Sequence, residues 1–178
     1  NNYSPNCKIN GKQQPKEEIN ILIVGFIHKS VNHGYILMRH KSLHLRWDMQ
    51  VLRDLNQLPD LAGSVITIGT FDGVHSGHYE IIQKITAAAR SIGGKSVIIT
   101  FHPHPRHIIT PESPVYYLTT LEEKIAKLSV CGVDVVVVVP FSREFSEISA
   151  ESYAEHFLIE KFKPAIIVFG YDHKFGKD

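Results

Sequence analysis

The chain has 178 residues, 43% hydrophobic and 21% charged, with 19 Lys and Arg against 18 Asp and Glu for a formal charge of +1. That length fits one domain of about 150 residues with an arm, enough to bury a core without metal or disulfide staples. The near-neutral balance removes the broad electrostatic case for a nucleic-acid or polyanion binder. Cys7 and Cys131 lie far apart and form no metal-spaced pair, so a disulfide framework or zinc ribbon finds no support and a reducing, cytoplasmic setting is expected.

Residues 1–48 carry seven Lys or Arg against three acids, and residues 49–178 carry twelve against fifteen. The composition shifts near Met49. Before it, a polar start without periodicity leads into one apolar run, Ile21 to Ile27, followed by scattered bases and His28, His33, His40 and His44. The run falls well short of the roughly 20 residues of a membrane helix, and no small-residue cleavage pattern follows it, so neither a span nor a signal peptide is expected. Residues 1–48 read as an extension, weakly ordered or not native, with Met49 as a start; the alternative is a genuine arm with one strand at ILIVGFI.

From Ser64 onward the pattern is regular. VITIG, Val65 to Gly69, is short, apolar and β-branched, as expected of a strand covered on both faces. Ile81, Ile82, Ile85, Ala88, Ala89 and Ile92 paint one face of a helix that Gly93 and Gly94 end. SVIITF, Ser96 to Phe101, is the next strand. Thr119 and Thr120 each precede Glu122 and Glu123 at capping-box spacing, and Leu121, Ile125 and Leu128 supply the stripe of a second helix that Gly132 stops. DVVVVV, Asp134 to Val139, is a third strand. Ser149 caps a third helix whose buried face is Ala150, Tyr153, Ala154 and Phe157, with Tyr153 and Phe157 in the core. AIIVFG, Ala165 to Gly170, is the fourth strand.

Strands alternating with helices of this length predict right-handed crossovers and an α/β, Rossmann-like parallel sheet with helices on both faces. Ligands bind such sheets beyond the carboxyl ends of the strands. The loops there are TFDGVHSGH, HPHPRHIITP, PFSREFS and YDHKFGKD, and they concentrate the histidine, arginine, aspartate and glycine of this region.

In the first loop, Gly69, Gly73 and Gly77 permit tight turning and close approach, and free amides at the following helix start favour an anion, phosphate above all. The loop is neither a Walker A sequence nor GxGxxG. His75 and His78, three apart on a first helical turn, would face that phosphate as hydrogen-bond donors; the plainer reading is a solvated helix start with incidental histidines. His102, His104 and His107 raise zinc, but the segment is expected to lack a helix that would align them and has no carboxylate among them, so no metal site is expected. Arg106 as an ordinary surface arginine and Asp172 as a turn cap stand beside any ligand role for them.

GTFDGVHSGH resembles the signature of nucleotidyltransferases with a His-x-Gly-His motif, and its longer form, with Phe71, Asp72, Gly73 and Val74, resembles that of bacterial FAD synthetases, commonly bifunctional riboflavin kinase/FMN adenylyltransferases. VLRDLNQLPDLAGS, TFHPHPR, LTTLEEKIAKL, VVPFSREFSEIS and VFGYDHKFGKD agree in order, so the resemblance covers Met49 to Asp178. It implies transfer of AMP from ATP to FMN, giving FAD and pyrophosphate, with Mg²⁺ accompanying ATP. His75 and His78 would be catalytic, and Gly69, Thr70, Phe71, Asp72, Gly73 and Gly77 would bind ATP. His104, Pro105, Arg106, Asp172 and Phe175 would lie beside flavin or phosphate. His173 stands where the family commonly has phenylalanine, which bears on local packing on the flavin side. Arg143 and Phe145 read as structural or substrate-adjacent.

The resemblance further implies that residues 49–178 are part of an adenylyltransferase domain, truncated at the C-terminal end before a Ser/Thr-rich stretch with an arginine and before a riboflavin kinase domain. A fragment with poor turnover and an unpaired outer sheet edge is the expectation. Partners are expected to be the small molecules ATP and FMN, without nucleic acid or membrane. Two other functions stand beside this one. A nucleotidyltransferase with another acceptor, such as nicotinamide mononucleotide or pantetheine phosphate, is opposed by the flavin-family segments; a non-catalytic flavin- or nucleotide-binding module is opposed by the intact His75 and His78.

Overall fold

The computed structural model describes residues 22–25, 49–114 and 116–170. In chain order its elements are β1 (Leu22–Gly25), β2 (Gln50–Leu52), β3 (Val65–Ile68), a 3₁₀ turn (Asp72–Val74), α1 (Ser76–Ile92), β4 (Ser96–His102), α2 (Pro105–Ile109), α3 (Leu121–Ser129), β5 (Val135–Pro140), α4 (Arg143–Ser146), α5 (Ala150–Ser152) continuing into a π-helical segment (Tyr153–Glu160), and β6 (Ile166–Phe169). The strands form one sheet in the order β1-β6-β3-β4-β5-β2, every pair parallel. No helix among the described residues is long and apolar enough to cross a membrane.

Strand alternation divides the apolar residues between two cores. Val135, Val137 and Val139 of β5 pack with Ile66, Ile68, Val97 and Ile99 against Tyr153, Phe157 and Phe162. Val136 and Val138 point the other way, with Val65 and Ile98, onto Ile82, Ile85 and Ala89 of α1 and Leu121 and Leu128 of α3. Both faces are covered, which is why the strands read as unbroken apolar runs rather than alternating ones. Ile66, Ile98 and Val136 are fully buried, and each such side chain contributes about 1.5–3 kcal/mol relative to exposure.

The helix boundaries follow local chemistry. Gly93 ends α1 with φ +69°, its N–H donating back to Ala89 and Arg90, and a Cβ on Gly94 would stand 2.5 Å from the Gly63 carbonyl oxygen. Thr120 and Glu123 form the reciprocal capping box of α3, at 2.8 and 3.2 Å. Thr119, which has the same spacing to Glu122, does not cap: its hydroxyl donates to Asp72 and accepts from the Gly73 N–H. Ser149 accepts from the Ser152 N–H at 3.2 Å and so caps α5.

Several expectations change. Ile92, assigned to the buried stripe of α1, is 47% exposed as the last residue of that helix. The loop after β4 is not irregular throughout: α2 begins with Pro105 in its first turn, so the argument that no helix orders His102, His104 and His107 does not hold. Within residues 1–48, Leu22–Gly25 forms a strand, and β1 pairs with β6 in register Leu22 to Ile166. Consequently β6 is bonded on both sides, and among the described residues the outer strands of the sheet are β1 and β2. The rest of residues 1–48, and the loop carrying Asp172, His173, Phe175 and Gly176, lie outside the described residues.

Strands β3, β4 and β5 step in one direction across the sheet, with α1 and α3 on one face. The next crossover, through α5 and the π-helical segment, uses the opposite face and returns to the far side of β3, where β6 pairs. The strand order therefore reverses between β3 and β6, and in open α/β sheets the crevice at such a reversal is where ligands bind.

Candidate active site

The loop leaving β3 at that reversal is held by the sheet before it turns. The Gly69 N–H donates to Ile99 O at 3.0 Å, and buried Thr100 donates its hydroxyl to the Thr70 carbonyl at 3.0 Å. Phe71 then adopts a left-handed conformation, φ +49°, and places its ring in the core at 2% exposure. Val74, with φ +46°, is a second non-glycine in that region, and each such residue costs about 1–2 kcal/mol. For a β-branched residue this is a genuine outlier. Strain of this kind persists where surrounding structure over-determines it, commonly at ligand sites.

What over-determines it is a clamp from the segment before α3. The Asp72 carboxylate accepts from Leu118 N–H at 2.9 and 3.2 Å and from the Thr119 N–H and hydroxyl, both at 3.0 Å. Lys127 adds a bond from its ammonium to the Gly73 carbonyl at 3.1 Å. Burial works to raise the Asp72 pKa, but these hydrogen bonds and the charge of Lys124 outweigh it, leaving the carboxyl below its ordinary value. Gly73 has φ +73°, which strains any larger residue, and a Cβ there would stand 2.9 Å from Cδ1 of the exposed Leu118 and displace it.

Beyond the clamp the chain straightens at His75 and enters α1. His75 makes no side-chain cap, so the first-turn amides of this 17-residue helix are left without a side-chain acceptor, and the helix dipole adds positive character there. The imidazoles of His75 and His78 stack with centroids 3.7 Å apart and planes 23° from parallel, and the Phe71 ring lies 4.9 Å from His78 on another side. Gly77 makes space for this, since a Cβ would come within 3.3 Å of the His75 ring. Among the described residues the buried His78 Nδ1 has no hydrogen-bond partner, an omission that ordinarily costs about 1–3 kcal/mol. Burial first, then the neighbouring His75 and Lys124, push its pKa down to about 4 against the pull of Asp72. At neutral pH His78 is an uncharged imidazole.

The adjacent loop after β4 brings His104. Its Nδ1 accepts from the Arg106 N–H at 3.2 Å, capping α2, so in the neutral ring the proton sits on Nε2. Burial lowers its pKa, with Lys124 and Arg106 adding to the effect and Asp72 opposing it. Tyr117 meets the ring edge-on at 5.9 Å. Pro105 opens α2, and the Arg106 side chain is exposed. A cavity of about 400 Å³ lies between this loop and the start of α3, lined by Phe101, His102, His104, Tyr117, Thr120 and Lys124 among others.

The structure thus brings His75, His78, Gly69, Thr70, Phe71, Asp72, Gly73 and Gly77 together at the start of α1, with His104 and Pro105 in the neighbouring loop; Arg106 is on the surface, and Asp172 and Phe175 lie outside the described residues. Thr119 and Lys124 are the site residues that sequence reasoning missed. The signal for Lys124 was present: Leu121, Lys124, Ile125 and Leu128 share the i, i+3, i+4, i+7 spacing of a buried face, and a lysine there is an anomaly. For Thr119 the capping spacing pointed to the wrong partner.

Comparison with known proteins extends this geometry. The family model described as FAD synthetase matches residues 57–178. A bifunctional riboflavin kinase/FMN adenylyltransferase of Listeria monocytogenes is 35% identical over 114 residues, covering 64% of this chain and 36% of the relative. Proteins of the same description from Escherichia coli and Bacillus subtilis are 33% and 30% identical, covering 70% and 77% of this chain and 40% and 42% of theirs. The chain spans about two fifths of the length of the curated relatives it matches. A crystal structure of a protein described as a macrolide-efflux protein, from Streptococcus pneumoniae, superimposes with TM-score 0.59 at 27% identity, over 72% of this chain and 43% of the other. The strand-order reversal, the His75–His78 pair on its first helix and a family match running from residue 57 to 178 lead to one conclusion: the chain belongs to the FAD synthetase family.

Proposed function

We propose that this chain carries the AMP-transfer site of an FMN adenylyltransferase, taking FMN and Mg²⁺-bound ATP to FAD and pyrophosphate. The observation that carries the reading is the stacked His75–His78 pair at the uncapped start of α1, with His78 Nδ1 buried and unpartnered, in a chain of the FAD synthetase family. In this reaction a phosphate oxygen of FMN bonds to the α-phosphorus of ATP while the bond from that phosphorus to the bridging oxygen breaks and pyrophosphate leaves. No protein nucleophile is needed. Positioning and stabilisation of negative charge suffice, and the helix amides and imidazoles are donors suited to both.

In this reading His75 and His78 donate to the reacting phosphates. Gly69, Thr70 and Phe71 form the floor of the ATP site, Gly73 and Gly77 allow its phosphates to approach, and Asp72 keeps the loop in place through Leu118 and Thr119. His104, Pro105 and Arg106 serve the acceptor, and the family resemblance gives Asp172 and Phe175 the same role. Mg²⁺ enters with the ATP phosphates as part of the substrate. The reaction belongs to the cytoplasm, uses small molecules alone, and involves neither nucleic acid nor membrane.

The test is incubation of the 178-residue protein with FMN, Mg²⁺ and ATP labelled at the α-phosphorus. Label in FAD with matching release of pyrophosphate is the expected result. ATP binding without label transfer would leave a nucleotide-binding module, and transfer to nicotinamide mononucleotide or pantetheine phosphate in place of FMN would reassign the acceptor.

A further inference from the structure

The Lys124 side chain is largely buried, and among the described residues its ammonium, which stays open to the cavity, has no partner. The residue is 6% exposed, sits in the first half of α3 among buried Leu121 and Leu128, and lines the cavity between that helix and the loop after β4. Among the described residues no hydrogen bond or ion pair reaches its ammonium. Asp72 is near enough to influence it electrostatically, yet its carboxylate is occupied by Leu118 and Thr119. Glu123, on the cavity wall, is committed to the capping box, and Glu122 is exposed. Even partial burial of an ammonium is unfavourable unless something pairs with it. Its neighbour Lys127, by contrast, is exposed and bonded to the Gly73 carbonyl.

The position narrows what the missing partner is. Lys124 influences both His78, at the start of α1, and His104, in the loop after β4. Its side chain lines the same cavity as His102 and His104 of the loop after β4, where a substrate's charge can reach it. We propose that Lys124 is a substrate-binding residue whose ammonium pairs with a phosphate group entering the cavity beside His104, so that the unpaired cation is neutralised only in the complex. The proposal rests on the AMP-transfer reading and adds to it a specific anion contact on α3. The phosphate belongs either to ATP or to FMN, and the same experiment separates the two.

The experiment is equilibrium binding, by calorimetry, of ATP, adenosine, FMN and riboflavin to the 178-residue protein and to its Lys124→Met and Lys124→Arg variants, with thermal melts of each. Lys124→Met is expected to melt no lower than the unaltered protein. It should lose about tenfold or more in affinity for the phosphate-bearing ligand that Lys124 contacts, as for a charge-assisted hydrogen bond, while the phosphate-free counterpart binds unchanged. Lys124→Arg should retain most of the affinity. Loss confined to ATP identifies the nucleotide as the source, and loss confined to FMN identifies the acceptor. Equal affinities in Lys124→Met and the unaltered protein for both phosphate ligands would overturn the proposal while leaving the AMP-transfer reading in place. Failure of the unaltered protein to bind ATP and FMN at all would remove that reading, and this inference with it.

If Lys124→Met melts early, the unaltered protein decides. The ε-methylene resonance of Lys124, assigned by its disappearance in Lys124→Arg, should move with the phosphate ligand and stay put with its phosphate-free counterpart. No movement at saturation would overturn the proposal.

Discussion

The amino and carboxyl ends of this parallel sheet are built from the same strands and finish in opposite ways. At the amino end Asp134 accepts from the N–H and hydroxyl of buried Ser96 at 2.8 and 2.6 Å and returns its own N–H to that hydroxyl at 3.1 Å. The Asp134 carbonyl meanwhile takes the Gln50 N–H at 2.9 Å, joining β2 to the sheet. One hydroxyl there, Ser64 Oγ, is left over. At the carboxyl end, among the described residues, the leftovers are a buried imidazole nitrogen and an unpaired ammonium. An end with its polar groups nearly all matched is a structural terminus. An end with unmatched bases and cations is completed by something else.

Altering either end should separate activity from stability. The largest effect is expected from His78→Ala, which should lower the rate of FAD formation by about 10²–10³ while leaving the melting temperature unchanged or raised, because the unpartnered nitrogen goes with it. A comparable loss of melting temperature would mean that His78 is a structural residue. Asp134→Ala is its mirror image: it strips Ser96 of its acceptor and should cost about 2 kcal/mol of stability, read from denaturant midpoints, with turnover per folded molecule preserved. Loss of turnover without loss of stability would erase the contrast between the ends.

Smaller effects sharpen the comparison. Gly73→Ala forces a side chain into a left-handed position and onto Leu118, at about 1–2 kcal/mol, and its kinetic signature should be a raised KM for ATP rather than a matching fall in kcat. The finest effect is on pH dependence. The unfolded chain protonates His78 near its ordinary value of 6.5, whereas the folded chain resists protonation until about pH 4. Between those values the unfolded state holds more protons, so stability should fall as pH drops through the window and recover as pH rises. His78→Gln should flatten that slope in melts taken from pH 7 to pH 4; an unchanged slope would assign it to other groups.

The sheet's interior was legible because its strands are buried on both faces, and β3, β4, β5 and β6 announce themselves as β-branched runs between glycines and helices. β2 was not legible: three residues, none fully buried, give no period to count, and only pairing with β5 makes Gln50–Leu52 a strand. The π-helical stretch from Tyr153 to Glu160 read as ordinary helix, since its buried Tyr153 and Phe157 keep a spacing of four and say nothing about the backbone's hydrogen-bond step. In the site, the histidine pair was visible as a motif. The clamp that fixes it was not, because Asp72 and Thr119 are separated by about half a domain of sequence and only the fold brings them to 3.0 Å.

The placement of β6 beside β3 also sets the order in which the molecule can assemble. Strands β3, β4 and β5 pair with near sequence neighbours, so they can meet early, whereas the contact of Val65 with Ile166 joins positions about a hundred residues apart and must wait for a long loop to close. The crevice at the strand-order reversal therefore comes into being late in folding. A ligand held there acts on a late-forming contact of the sheet, and its natural kinetic signature is slower unfolding rather than faster folding.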